Sequence, residues 1–183
     1  MPYRSNKAKK LFRVVLLLAV LLFGNVQAAE RGQVANPNDV KAFYIFHFTK
    51  FVTFPKERFN SDETPLVIGV FGKHEILDNL VQIARGKTAK SRRIKVVKVD
   101  SLEEAKKTHL LYFPEKSGRK GAQMLSGLKG AAILTISEAD GSAGKAGMIY
   151  FVIEGKHVRI RGNLERIKEE KIKVASKLIQ LMR

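Results

Sequence analysis

The sequence predicts a single α/β domain: a mixed, mostly parallel sheet flanked by helices, with a late antiparallel hairpin and a C-terminal helix. Two observations carry this prediction. Short apolar runs, beginning with residues 66–71 (LVIGVF), alternate with helical segments, and this spacing is typical of crossover units in a parallel sheet. Two later strand-like runs, residues 148–153 and 157–161, flank a short segment containing Gly155, which indicates a hairpin.

The first 28 residues have the pattern of an export signal. A basic front without acidic residues precedes the apolar run 11–23, and Val26-Gln27-Ala28 is a small-residue cleavage pattern. The apolar run is shorter than the roughly 20 residues that a membrane-spanning helix needs. We therefore expect a cleaved signal peptide over residues 1–28 and a periplasmic location. An uncleaved membrane anchor is the alternative.

Residues 29–37 are expected to be a mobile leader, and residues 38–183 to form the folded domain. Removal of the signal segment takes away five of the 34 Lys and Arg and none of the 17 Asp and Glu, which leaves a net charge of +12. A basic balance often indicates nucleic acid, but exported proteins rarely meet it. We therefore expect no nucleic-acid partner. An acidic protein surface, anionic lipid or a general lysine-rich composition could explain the charge.

Cysteine is absent, which excludes disulfides, thiol chemistry and Cys-based metal sites. Nitrogen ligands could come only from the histidines, and no two of these stand at i, i+4. The sequence thus predicts neither a metal site nor a cofactor. The histidines are His47, His74, His109 and His157.

An aromatic helix is predicted from Val40 to about Phe54, capped by Asn38 or Asp39 and ended by Pro55. Apolar and aromatic residues recur at helical spacing on one expected face: Val40, Phe43, His47, Phe51 and Phe54. Additional aromatics on other sides indicate that most of the helix is covered. Its own domain could supply that cover, or a second copy of the chain or another partner could.

The remaining elements follow in chain order. The predicted strands are residues 66–71, 94–99, 109–113, 131–136, 148–153 and 157–161. Helices are predicted over residues 75–84, 102–107 and 119–128. Gly86 and Gly130 end the first and last of these helices, and Ser101 with Glu104 forms a capping box for the middle one. Pro114 stops the third strand.

One closing helix is expected after Asn163, a good N-cap residue. Its apolar face would run through Leu164, Ile167, Val174, Leu178 and Leu181. The spacing also predicts solvent-exposed ion pairs on this helix. They are Arg166 with Glu170 and Glu169 with Lys173.

Motifs for catalysis are missing. The chain has no G-x-S-x-G nucleophile elbow and no G-x-G-x-x-G dinucleotide fingerprint. Glu138 and Asp140 could form an acid/base pair, but carboxylates in an exposed, glycine-rich loop are more often turn formers. We therefore predict that the protein is not an enzyme, and an envelope hydrolase using these two carboxylates is the weakest hypothesis.

One basic cluster remains. Its cations lie in and before the second strand: Lys87, Lys90, Arg92, Arg93, Lys95 and Lys98. On an edge strand such charges prevent pairing with another chain. The alternative is a site for an anion or an acidic partner, joined by Arg159 and Arg161 if the late hairpin lies nearby.

Six segments of the chain form a characteristic series. The segments KAFYIFHFTKFVTFP, PLVIGVFG, GKTAKSRRIKVVKV, HLLYFP, AILTISEADGSAGKAGMIYFVIEGKHVRIRGN and KVASKLIQLM occur in this order between Val40 and Met182. Together they resemble the YfiR-like family of exported bacterial proteins. In that family, a segment like Leu134–Ser137 leads through a glycine-methionine-isoleucine into a hairpin and an asparagine, here Asn163.

The resemblance implies a periplasmic repressor that binds the periplasmic domain of an inner-membrane diguanylate cyclase and lowers cyclic di-GMP signalling. A homodimer is possible, and the membrane would be reached only through the partner. Family members commonly carry a cysteine where Thr108 stands here, so disulfide control cannot be transferred to this chain. The alternative function is a periplasmic receptor for a small anionic ligand that feeds a sensor kinase. The candidate binding residues are Phe51, Phe54, Pro55, Arg92, Arg93, Arg159, Arg161 and Asn163.

Overall fold

The structure, a computed structural model, describes residues 36–141 and 143–182. The expected signal peptide and residues 29–35 of the expected leader lie outside the described residues. The predicted fold class is confirmed: a single mixed α/β domain with a late antiparallel hairpin and a C-terminal helix. Among the described residues, no helix is both long enough and apolar enough to cross a bilayer.

The elements agree with the sequence prediction in type and order, except at the ends of the domain and at the short strand Thr88–Ala89, which the sequence did not predict. The helices are α1 (Pro37–Phe51), α2 (Ile76–Ala84), α3 (Leu102–Lys106), α4 (Gly118–Gly127), α5 (Leu164–Glu169) and α6 (Ser176–Leu181). The strands are β1 (Val52–Thr53), β2 (Leu66–Phe71), β3 (Thr88–Ala89), β4 (Arg92–Val99), β5 (Leu110–Phe113), β6 (Leu134–Glu138), β7 (Ile149–Glu154), β8 (His157–Gly162) and β9 (Lys173–Val174).

The main sheet has the strand order β3-β4-β2-β5-β6-β7-β8. Strands β4, β2, β5, β6 and β7 run parallel, while β3 and β8 are antiparallel additions at the two edges. From β2 the chain crosses first to β4 on one side and then to β5 on the other. The carboxyl ends of β2 and β5 therefore form the switch point at which doubly wound sheets open a crevice.

The sheet is covered on both faces. Along β5, Leu110 and Tyr112 belong to one buried cluster, and Leu111 and Phe113 belong to the other, as expected for alternating side chains. Helices α1, α2 and α6 contribute to the first cluster, whereas α3 and α4 contribute to the second. Burial of β5 on both faces explains why its sequence is continuously apolar.

Helix α1 begins earlier than the sequence predicts. The predicted caps Asn38 and Asp39 are wrong, because Asn36 caps the helix through a side-chain oxygen that accepts from the N–H of Asn38, 3.0 Å away. Pro37 follows at the first helical position. An N–H group at this position has no acceptor within the helix, so proline costs no hydrogen bond here.

The helix also ends earlier, at Phe51 rather than near Phe54. Val52 has extended backbone angles and pairs with Val174, so β1 and β9 form a two-stranded antiparallel ribbon. The pairing of Val52 and Thr53 with β9 would be lost if the helix continued through these residues. The chain therefore leaves the helix before Pro55.

The predicted face of α1 is wrong. The buried side chains are Lys41, Ala42, Ile45, Phe46, Phe48 and Thr49. Phe43, which the sequence placed on the buried face, is 51% exposed and stacks on His47 with ring centroids 3.9 Å apart. The domain therefore covers one side of the helix and leaves the Phe43 side open.

The prediction of a single closing helix is also wrong. The chain forms α5, leaves the helix at Lys171 with a positive φ of 56°, and pairs as β9 before α6 begins. The expected exposed pair of Arg166 with Glu170 does not form. Instead Glu170 is buried, and its carboxylate accepts from the N–H groups of Gly130 and Ala132 at 2.6 and 2.7 Å.

Candidate functional site

The structure brings two of the predicted binding residues, Phe54 and Arg92, into one cavity. This cavity has a volume of about 440 Å³ and lies among β1, the segment before β2 and the β3–β4 turn. We call it the basic-edge cavity. Its apolar lining includes Val52, Phe54, Phe59, Leu66 and Ala89, and its charged lining consists of Lys56, Asp62, Lys90 and Arg92.

Arg92 organises one wall of this cavity. Its Nη1 donates to the carbonyl oxygens of Ser61, Asp62 and Thr64 at 2.7, 2.8 and 2.9 Å. The guanidinium also lies 4.0 Å from the ring centroid of Phe59, which is a cation–π contact. Arg92 therefore fixes the segment that precedes β2, and its Nη1 group is fully engaged within the domain.

The β3–β4 turn supplies the other cation. Lys90 and the following Ser91 have φ angles of 49° and 67°, the left-handed conformation that type I′ hairpin turns require and that Asn-Gly adopts most easily. The Nζ of Lys90 donates to Oγ1 of Thr53 on β1. Burial lowers the pKa of Lys90, since desolvation disfavours the ammonium.

Aromatic packing supports the floor of the basic-edge cavity. The ring of His109 stacks on Phe59 with centroids 4.5 Å apart and meets the ring of Phe54 edge-on at 5.5 Å. Nδ1 of His109 accepts from the N–H of Val67 at 3.0 Å, so this nitrogen carries no proton. Burial, together with the positive charge of Arg58, lowers the pKa of His109 to about 4.

We expect acid to destabilise the fold through His109. The unfolded histidine titrates near pH 6.5 and the folded one near 4, so the unfolded state binds more protons between these values. Stability is therefore full above pH 6.5 and falls as the pH drops to 4, by up to about 3 kcal/mol. Urea unfolding of His109→Gln should show a flatter pH profile than wild type, while His157→Gln, at an exposed position, should keep the wild-type slope. Equal slopes in all three proteins would contradict the assignment.

The other predicted residues lie elsewhere. Pro55 is half-buried and borders a neighbouring depression, and Phe51 lies beneath the ammonium of Lys177, 5.8 Å from its ring centroid. Arg93 is exposed on β4, in the part that pairs with the short strand β3.

Arg159 and Arg161 lie on β8, at the opposite edge of the sheet from β4, with four strands between. The two arginines therefore do not join the basic cluster. Both form ion pairs with Glu154 on β7, at 3.2 and 3.6 Å. Asn163 caps α5, as predicted: its side chain accepts from the N–H of Arg166 at 3.1 Å.

A polar cluster at the carboxyl ends of the strands escaped the sequence analysis. Nζ of Lys41 on α1 lies 2.8 Å from Oε2 of Glu138, and both side chains are buried. The hydroxyl of Tyr112 donates to the other carboxylate oxygen. The ring of His74 lies 6.3 Å from that of Tyr112. The cluster thus joins α1 to the ends of β5 and β6 beside the switch point.

The expectation that Glu138 sits in an exposed loop is wrong, because this residue is the last of β6 and only 6% exposed. Burial, reinforced by the negative charge of Glu138, raises the pKa of Tyr112, so the phenol stays protonated and donates. Lysine and tyrosine together occupy both carboxylate oxygens, which makes this a structural pair rather than a free acid or base. The sequence contains one signal for the burial of Lys41, because this residue stands on the same helical face as the apolar residues Ala42 and Ile45.

Comparison with known proteins assigns the family. No curated protein matches the chain. A family model described as YfiR/HmsC-like matches residues 38–183, about four-fifths of the sequence. The match confirms the resemblance carried by the motifs between Val40 and Met182. The chain belongs to the YfiR/HmsC-like family.

Proposed function

We propose that this protein is an exported regulator that binds the periplasmic part of a membrane-anchored diguanylate cyclase and holds that enzyme inactive. The family match over residues 38–183 carries the proposal. Members of the YfiR/HmsC-like family are periplasmic regulators rather than enzymes. The regulation acts through protein–protein contact, and the protein reaches the membrane through its partner.

Thermodynamic linkage defines what such a repressor must do. A binding protein shifts the cyclase toward its inactive state only by the difference between its affinities for the two states. A tenfold preference corresponds to about 1.4 kcal/mol, and moving an enzyme from almost fully active to almost fully inactive takes about 10⁴-fold. A surface with several contacts is therefore needed, and one residue is not enough.

The exposed arginines at the two sheet edges are the best candidates for charged contacts. Arg93 is exposed on β4, and the side chain of Arg159 on β8 is 57% exposed. Because these residues lie at opposite edges of the sheet, we expect the cyclase to contact one edge and to leave the other edge free. A homodimer could use the edge that the cyclase does not contact.

Deletion of the gene is expected to raise cellular cyclic di-GMP, and expression of the full-length chain is expected to restore the lower level. The physical reason is that the cyclase loses the ligand that stabilises its inactive state. Cyclic di-GMP would be measured by mass spectrometry of cell extracts, and the membrane partner by affinity purification from detergent-solubilised envelopes. Unchanged cyclic di-GMP levels together with no co-purified membrane protein would contradict the proposal.

Charge-reversal variants locate the contact. If the cyclase binds the β4 edge, Arg93→Glu should raise cyclic di-GMP toward the deletion level. If the cyclase binds the β8 edge, Arg159→Glu should have this effect instead. Lys120→Glu is the matched control, since Lys120 is an exposed cation on α4, away from both edges. An equal effect of all three substitutions would indicate a general charge effect and no defined surface.

A further inference from the structure

We propose that the basic-edge cavity binds a small organic anion, with a phosphate monoester group held by Lys56 and Lys90 and an apolar body against Phe54 and Phe59. This inference is independent of the proposed function. A repressor without such a ligand would keep its partner contact, and a ligand site would exist whatever the partner is.

The charges that line the cavity favour an anion. Lys56, Lys90 and Arg92 are opposed there by Asp62, whose carboxylate lies 3.6 Å from Arg92. Within residues 36–141 and 143–182, neither Lys56 nor Lys90 has a carboxylate within ion-pair distance. Two ammonium groups without carboxylate partners suit a doubly charged phosphate, which lysine binds as a point charge.

Backbone strain at Lys90 is a second, independent observation. A lysine and a serine occupy the two central positions of the β3–β4 turn at positive φ, where Asn-Gly would be less strained. Such conformations cost of order 1 kcal/mol or more for each residue and concentrate at ligand-binding sites. The strained turn holds the Lys90 ammonium against Thr53 at the cavity wall.

The apolar lining favours a ligand with a hydrophobic body over a bare inorganic ion. Phe59 is half-buried with Arg92 over its ring, and Phe54, which is 6% exposed, borders the same space. A volume of about 440 Å³ lies in the range of roughly 300–1,000 Å³ that small-molecule sites occupy. An aromatic or short aliphatic group fits this space next to a phosphate.

A second cavity of similar volume, between α4 and α5, lacks these features. Arg166 there donates to the carbonyl oxygen of Ala146 at 2.7 Å. The carboxylate of Glu170 is occupied by two backbone N–H groups. The other two charged residues of the lining, Lys129 and Glu169, carry opposite charges, so this cavity does not favour an anion.

Binding would be tested by NMR titration of the isotopically labelled protein, purified from the cell envelope, with three probes. Phenyl phosphate carries both proposed features, inorganic phosphate lacks the apolar body, and phenol lacks the charge. We expect phenyl phosphate to bind at least tenfold more tightly than either simpler probe, with shifts of the amides of Thr53, Ala89 and Lys90. Absence of binding, or equal affinity for phenol, overturns the proposal.

Lysine variants separate a defined site from a diffuse positive field. Lys90→Gln and Lys56→Gln should each weaken phenyl phosphate binding about tenfold, whereas Lys87→Gln, an exposed lysine outside the cavity lining, should leave it unchanged. Lys56 is exposed, so its variant remains informative if Lys90→Gln unfolds. An equal loss in the Lys56 and Lys87 variants overturns the site.

Discussion

Replacement of Glu138 by alanine is expected to destabilise the protein by about 3–5 kcal/mol, because the substitution leaves a buried ammonium without its counter-charge. The side chains of Lys41 and Glu138 are 10% and 7% exposed, and their charged atoms are 2.8 Å apart. The Tyr112 hydroxyl would lose its acceptor at the same time. Urea unfolding followed by circular dichroism measures the change.

Two further variants make this prediction specific. Asp100→Ala removes a surface pair in which Lys98 and Asp100 are 50% and 55% exposed, so it should cost less than about 1 kcal/mol. Lys41→Met combined with Glu138→Gln removes both charges and keeps an acceptor for Tyr112, so it should recover most of the stability lost in Glu138→Ala. A loss below 1 kcal/mol for Glu138→Ala, or no recovery in the double variant, would show that the pair is not energetically coupled.

A second large effect is expected for Phe151→Ala, which should cost about 3–5 kcal/mol. Phe151 on β7 is fully buried and its ring lies 6.3–6.4 Å from those of Tyr44, Phe48 and Tyr112. Its removal leaves a cavity between α1 and the sheet that three rigid rings cannot close, and the lost aromatic contacts add to the transfer term.

Phe43→Ala is the matched control. This phenylalanine also belongs to the aromatic segment, but half of it is exposed and its ring contacts are with neighbours on its own helix. Its loss should change stability by no more than about 0.5 kcal/mol. Similar melting temperatures for the two alanine variants would contradict the assignment of the buried face of α1.

The sequence was a good guide to the central elements. Strands β2 and β5 are continuous apolar runs because both of their faces are buried, and the Ser101–Glu104 capping box forms as the local pattern predicts. The hairpin of β7 and β8 follows the same rule, with Gly155 in its turn at a φ of 61°. In each case the determining interactions are local or depend on hydrophobic periodicity alone.

The ends of the domain were predicted less well, for a common physical reason. Helix α1 ends at Phe51 and the closing helix breaks after Glu169 because Val52 and Val174, far apart in sequence, pair in one ribbon. Glu170 turns inward because Gly130 and Ala132 present N–H groups at that point. Local propensity cannot anticipate such long-range partners.

The candidate site shows the same division. Composition and motif order were sufficient to predict the family, the fold class and the basic strand. The grouping of Phe54 with Arg92, the separation of Arg159 from Arg93, and the burial of Lys41 against Glu138 were decided by tertiary structure alone. Strand order sets which charges become neighbours, and the free energy of a buried charge depends on the partner that the fold brings to it.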